Sequence, residues 1–273
     1  MLIFTSGMSG ASREVPLLDD FTGHRGTAIV TGGSGGIGAA VCRRLAQAGS
    51  GVAFTYRTRR AAAESLLSEL SGAPVPVSAH RVDLTDPAAT RRFVEAVAEE
   101  WDGVHTVVHA AGPVVAQAYL SRVTPAMMLA QLTEDAAAFF TLVHAALPAL
   151  RRSRGSVVAV TTAATARHPS RDGLSAGPKA AVEALARALA VEEGRYGVRV
   201  NCVGPGMLTD GMSAGLMASG QLDERAQEAA MRNIPLRMFG NCADIAEAVC
   251  FLASGRARFI TGQKLDVDGG YTA

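Results

Sequence analysis

Glycines at 32, 33, 35, 36 and 38, interrupted by Ser34 and Ile37 and entered from Thr31, make the segment of this 273-residue chain best suited to hold a ligand. Glycine lets a backbone turn tightly and approach a pyrophosphate. A helix opening at that point adds free N–H groups and the positive end of its dipole. The segment follows an apolar run at 27–31 and precedes an amphipathic one at 36–48. That strand–turn–helix context separates a phosphate cradle from an ordinary glycine-rich loop. Gly32, Ser34, Gly35, Gly36, Ile37 and Gly38 are therefore candidate dinucleotide contacts. At the end of the next apolar run, where NAD-binding folds carry a carboxylate for the ribose 2′-hydroxyl, the sequence reads Thr55-Tyr56-Arg57-Thr58-Arg59-Arg60. No acid stands there to repel a 2′-phosphate. The Thr55 hydroxyl and the planar Arg57 fork suit one, which favours NADP(H) over NAD(H). The alternative is that these arginines are a solvated helix start in an arginine-rich chain.

The elements that must position these residues alternate regularly. Short apolar runs at 27–31, 52–55, 77–82, 106–110, 157–161 and 198–202 predict strands, closed by one at 264–267, with helical stretches between them. The runs are continuous rather than alternating, as in a parallel sheet covered by helices on both faces. The fold class is α/β: a doubly wound Rossmann-type fold with a central parallel sheet, in a single domain over 26–273. Residues 1–25 lack periodicity and read as a flexible or loosely docked arm. The Met-, Ala- and Gly-rich stretch at 211–232 suits a mobile lid spanning about 207–235, over an apolar substrate, or an ordinary helical excursion.

Composition narrows the function classes. With 48% hydrophobic and 19% charged residues a large core is expected and global disorder is not. A net charge of +1 without acidic or basic blocks argues against nucleic acid and polybasic membrane contacts. Cys42, Cys202, Cys242 and Cys250 form no C-x-x-C pair, so buried free thiols in a reducing cytosol are expected, and no metal site. No apolar run reaches roughly 18 residues and no signal segment is evident, so a soluble cytoplasmic protein is expected.

The glycine spacing of the turn, with Asp83-Leu84, His109-Ala110-Ala111-Gly112, Asn201-Cys202-Val203-Gly204-Pro205-Gly206 and the closing Ile260-Thr261-Gly262-Gln263, resembles the short-chain dehydrogenase/reductase family over about residues 26–273. The resemblance implies an adenine contact at Asp83-Leu84. It implies cofactor contacts at His109, Ala110 and Gly112, and a carboxamide-binding segment at Pro205, Gly206 and Leu208, with Thr209 one residue short of the family spacing. It also implies a homotetramer or homodimer built on the long helices and the C-terminal strand, and a small-molecule carbonyl or alcohol as substrate.

The family's catalytic pattern breaks at one position. Lys179 falls at the lysine that binds the nicotinamide ribose, Thr162 at the serine that holds the carbonyl oxygen, and Asp135, to within a residue or so, at the asparagine that supports the lysine. The tyrosine that transfers the proton is replaced by Ser175. An aliphatic hydroxyl is far less acidic than a phenol of pKa near 10 and is several ångströms shorter. Pro178 lacks an N–H and fits best in a helix's first turn, which predicts a helix starting near 177 or 178 and leaves Ser175 as loop or cap. His168 is a candidate replacement acid, with a surface role as its alternative; His109 and His144 are expected to pack. Lys179 itself stands out, because 24 of the 26 basic residues are arginine and a compact ammonium suits ribose hydroxyls. Two functions stay open: an NADP(H)-dependent oxidoreductase with a non-standard proton donor, and an NADP(H)-binding protein of the same fold without redox turnover, as a partner subunit, a sensor or a non-redox enzyme.

Overall fold

The computed structural model describes residues 20–211 and 224–273. Seven parallel strands form one sheet: β1 Thr27–Thr31, β2 Val52–Tyr56, β3 Val77–Arg81, β4 Val104–His109, β5 Ser156–Val160, β6 Arg199–Pro205 and β7 Lys264–Val267. Their order is β3-β2-β1-β4-β5-β6-β7, so the chain reverses its direction of growth between β1 and β4. In such sheets ligands bind in the crevice beyond the strand carboxyl ends at that switch point. β1, β4 and β5 are buried along their whole length, which explains their unbroken apolar character.

Helices cover both faces. The helices are α1 Gly36–Gln47, α2 Arg60–Glu69, α3 Pro87–Glu100, α4 Pro125–Leu132, α5 Ala138–Ser153, α6 Gly173–Glu193, α7 Glu224–Arg232 and α8 Cys242–Ala253. One core cluster joins Val41 and Leu45 of α1 and Leu66 of α2 to Ile245 and Val249 of α8. The opposite face packs Val94 of α3, Phe139 and Leu142 of α5 and Val182 of α6 onto Ile29, Val107 and Val157. The stretch Pro125–Ser153 is by length and composition apolar enough to cross a membrane. Here its Phe139, Leu142, Val143 and Leu150 are buried in that second core cluster.

Several expectations need correction. β6 runs to Pro205 rather than 202 because Gly204 and Pro205 pair with Asp266 and Val267 of β7. β4 begins at Val104 and ends at His109, two residues earlier and one residue shorter at its end than expected. Residues 20–25, read as part of a loose arm, are docked: Phe21 is buried and bonds Ala48 through its N–H, and Asp20 pairs with Arg256 at 2.9 Å. The remainder of the expected arm, 1–19, and the middle of the expected lid, 212–223, lie outside the described residues.

The largest correction concerns α6. It starts at Gly173 and continues through Pro178, with Asp172 as N-cap. Ser175 is thus inside the first turn, donating its backbone N–H to the Asp172 carbonyl at 3.0 Å, and is neither loop nor cap. The preference of proline for the first turn was outweighed by burial of Leu174, Ala176, Pro178 and Val182 against the sheet.

Candidate active site

Every strand that contributes does so at its carboxyl end. β1 leads into Gly32, whose φ of 71° lies in the left-handed region. A methyl group on it would stand 2.8 Å from the Ala110 carbonyl oxygen and from the backbone of Ala111. Glycine is therefore required where the two strands flanking the switch point meet. Thr31 joins them further, its Oγ1 lying 3.1 Å from His109 Nδ1 and accepting from the Ala111 N–H at 3.3 Å.

The turn then enters α1. Gly38 sits in the first turn, where a methyl group would come 2.2 Å from the Gly32 carbonyl oxygen. No side chain caps α1, and no acid lies in its first turn. The N–H groups of Gly36, Ile37 and Gly38 precede the first intrahelical bond, which Ala39 donates to Gly35. An uncapped helix end behind a glycine cradle fits a pyrophosphate. Ile37 packs against the core beneath.

Near the end of β2, Thr55 is almost fully buried, with its carbonyl accepting from the Gly33 N–H at 2.9 Å. Arg57 follows at the rim, half exposed, with Nη2 on Glu134 at 3.2 Å. Beyond β3, Asp83 Oδ1 accepts from both the N–H and the hydroxyl of Thr85, at 3.0 and 2.7 Å. These bonds, with the Arg57 charge, hold its carboxyl below the usual range. The neighbouring Leu84 points into the core, as does Leu208 after β6, so each is left its backbone for a ligand contact. Gly206 bonds Val267 at 2.9 Å, and the Thr209 hydroxyl turns to the Gly240 carbonyl at 3.3 Å, away from a carboxamide role.

The candidate catalytic residues are carried by three elements, and two of them, Asp135 and Lys179, meet. Asp135, nearly unexposed, occupies a π-helical turn, Thr133–Ala137, between α4 and α5. Such turns widen a helix by one residue and often mark functional sites. Lys179 of α6 reaches it with Nζ 3.1 Å from Oδ2 and 3.4 Å from Oδ1. A methyl group on Gly112 would lie 3.5 Å from the same Nζ, so the ammonium stands at the exit of β4. His109 lies beneath, and burial pulls its imidazole down to about 4, against the favourable Asp135 charge. It is neutral at pH 7, with Nε2 buried and without a partner among the described residues.

At the end of β5, Thr162 is extended, and its hydroxyl accepts from the Ala164 N–H at 3.1 Å, leaving its proton to donate. A buried group supports this turn. The Thr165 hydroxyl lies 3.1 Å from the Thr162 carbonyl and 2.8 Å from Glu183, and accepts from Lys264 at 2.6 Å. Lys264 also pairs with Asp266 at 2.9 Å, so the second lysine serves the scaffold. His168 is exposed, and His144 is exposed and stacked on Phe140. All four cysteines are free and buried, with the Cys202, Cys242 and Cys250 thiols pushed up to about 12 by burial. No cluster that could hold a metal occurs among the described residues.

Two neighbours of the site went unread in the sequence. Glu134 is the partner of Arg57, 77 residues away. Asp172 is the other, the N-cap of α6, where the sequence pattern predicts loop.

A family model described as enoyl-(acyl carrier protein) reductase matches residues 32–272. L-fucose dehydrogenase of Mus musculus is 36% identical over 245 residues, 89% of this chain and 86% of that protein. The 3-oxoacyl-[acyl-carrier-protein] reductase MabA of Mycobacterium bovis is 32% identical over 89% of this chain and 91% of its own. A short-chain dehydrogenase from Burkholderia cenocepacia, solved in complex with NADP, superposes with a TM-score of 0.83 at 30% identity, covering 94% of this chain and 99% of that one. A blue fluorescent protein from a metagenomic library, in complex with NADPH, gives 0.83 at 32% identity, covering 93% and 100%.

Proposed function

Because the chain belongs to the short-chain dehydrogenase/reductase family, we propose that it is an NADP(H)-dependent oxidoreductase interconverting a small-molecule carbonyl and its alcohol. The observation that supports this reading is that the glycine cradle follows β1, the Lys179 ammonium paired with Asp135 stands beside Gly112 after β4, and Thr162 follows β5, all at strand carboxyl ends. When bound, the dinucleotide supplies hydride exchange with the substrate carbon. Its pyrophosphate fits the N–H groups of Gly36, Ile37 and Gly38, and Asp83 is an ionised acceptor for an adenine amino group. Lys179 is placed for the nicotinamide ribose, close to Gly112 and Ala110. The Thr162 hydroxyl is the donor for the carbonyl oxygen, where negative charge grows during reduction.

Preference for NADP(H) rests on Arg57, and the NADP and NADPH bound by the two structural relatives support it. The side chain must exchange Glu134 for the 2′-phosphate, a partner of greater charge. Removal of a hydrogen bond to a charged group costs about 1.5–3 kcal/mol. Arg57→Ala is thus expected to weaken NADPH binding about 10- to 100-fold in calorimetry while barely changing NADH. Equal NADPH and NADH affinities in the parent protein overturn the assignment.

Ser175 in place of a phenol supports the second reading, a nucleotide-binding partner without redox turnover. NADPH binding without turnover on a broad ketone and alcohol panel selects that reading.

A homotetramer or homodimer accompanies the proposal. Val191 on α6, Phe259 before β7 and Leu265 on β7 are exposed, and Ala190 lies against Gly262, bringing α6 alongside the β7 edge. Met127, Leu129 and Phe140 are exposed on the long helical stretch. Light scattering at micromolar concentration is expected to give two or four chains; a monomer contradicts it.

A further inference from the structure

We propose that Asp172 is the proton donor and acceptor of this active site, taking the place of the missing phenol. The inference rests on the oxidoreductase reading above and names the group that reading lacks. Asp172, Ser175 and Lys179 are spaced by three and four residues, which puts them on one face of α6. Side chains on a helix lean toward its N-terminus, so a residue at 175 covers the surface over the preceding turn. A tyrosine there would reach out over Asp172. Serine leaves that space open, one turn along the helix from Asp172.

The Asp172 side chain is not spent elsewhere. It is the N-cap of α6, yet it makes no cap hydrogen bond, and none to any other described residue. An aspartate at this position ordinarily accepts from the N–H two or three residues on. The residue before it, Arg171, is held at a φ of 74° in the left-handed region, a conformation that costs a non-glycine residue about 1–3 kcal/mol and recurs at functional sites. A loop roofs the start of the helix: Ala118 donates to the Arg171 carbonyl at 3.0 Å, and a methyl group on Gly173 would stand 2.8 Å from Leu120 Cγ.

Burial under that roof raises the carboxyl above its usual range, and the Lys179 charge pulls in the opposite direction without cancelling the rise. The other charged groups nearby are accounted for. Asp135 sits on Lys179, Arg171 turns to the Gln117 carbonyl at 3.4 Å, and Arg122 of the roofing loop and His168 are exposed. Asp172 remains partly open to water, from which it can be reprotonated.

The step balances. In reduction the substrate carbon gains the hydride of NADPH and the carbonyl π pair moves onto oxygen. That oxygen takes the proton of the Asp172 carboxylic acid, leaving alcohol, NADP⁺ and carboxylate. In oxidation the carboxylate takes the hydroxyl proton as the hydride leaves. Reduction therefore slows as pH rises through the Asp172 pKa, and oxidation slows as pH falls through it.

Two measurements test the assignment. Carboxyl ¹³C NMR of the protein without nucleotide, with the Asp172 signal identified by its loss in Asp172→Asn, is expected to show titration above the ordinary aspartate value of about 3.9. In parallel, NADPH-linked carbonyl reduction is followed against pH in both proteins. Asp172→Asn is expected to lose about 10²- to 10³-fold in turnover and the pH dependence, with NADPH affinity within about two-fold of the parent. Asp172→Ser replaces it if the asparagine variant misfolds. Ordinary titration of Asp172, or retained turnover in an active parent's Asp172 variant, overturns the inference and leaves the oxidoreductase reading standing. A parent that binds NADPH but turns over no carbonyl or alcohol overturns both.

Discussion

Thr162→Val is expected to lower NADPH-linked turnover by about 10²- to 10³-fold, the usual loss when one donor to a developing oxyanion is removed. The substitution keeps the side chain's shape and removes its one hydroxyl. That hydroxyl also accepts from Ala164, so a cap of the short helix after β5 is lost, a cost of about 0.5–2 kcal/mol. The two effects separate cleanly. A cap effect shows in the melting temperature. An oxyanion effect shows in kcat, with NADPH affinity unchanged and the fold intact. The Thr165–Glu183–Lys264 group holds the backbone of the turn from behind, through the Thr162 carbonyl, and survives the substitution. A kcat within about five-fold of the parent removes Thr162 from the mechanism.

Lys179→Ala is expected to destabilise the fold by about 3–5 kcal/mol, because it strands a buried carboxylate. Asp135 keeps 2% of its side chain exposed, and the Lys179 ammonium, at 3.1 Å, is its one charged partner among the described residues. For a domain of this size the loss corresponds to roughly 6–20 °C in melting temperature. The double substitution Lys179→Met with Asp135→Asn should recover most of it, since replacing a whole buried pair is often neutral. NADPH affinity should fall in both, because neither retains an ammonium for the ribose. A double variant as unstable as the single one, or unchanged NADPH affinity in either, contradicts this account. An aspartate at 135 in place of a neutral amide has a chemical meaning here. It neutralises the Lys179 ammonium, which it meets at 3.1 Å.

Local chemistry explains what could be read in advance. The glycine turn, the strands on either side of it and the Thr55–Arg60 rim are contiguous, and each carries its own sterics or charge. The same contiguity misled at α6. A proline six residues into a helix breaks a local preference, and the burial of Leu174, Ala176 and Pro178 that overrides it depends on segments elsewhere in the chain. β6 grew past its expected end for a similar reason, since Gly204 and Pro205 acquire strand geometry from a partner over 60 residues on. Within the candidate site, the pairing of Asp135 with Lys179 was available through family resemblance. The π-helical turn that delivers Asp135 left no mark in composition. Asp172 was hidden for another reason: with the helix start expected near 177 or 178, nothing in the sequence marks Asp172 as its N-cap, still less as one that declines to cap.

Both lysines are withdrawn into the protein, with 17% of the Lys179 side chain and 13% of the Lys264 side chain exposed. The outer basic surface is consequently made of guanidinium groups alone. Enzymes and reagents that acylate, methylate or conjugate ε-amines find no outward target on this molecule. Guanidinium stays protonated well past pH 11, so the positive side of the surface charge is fixed across every pH at which the fold would be handled. Any modulation of that surface must come through its carboxylates and exposed imidazoles.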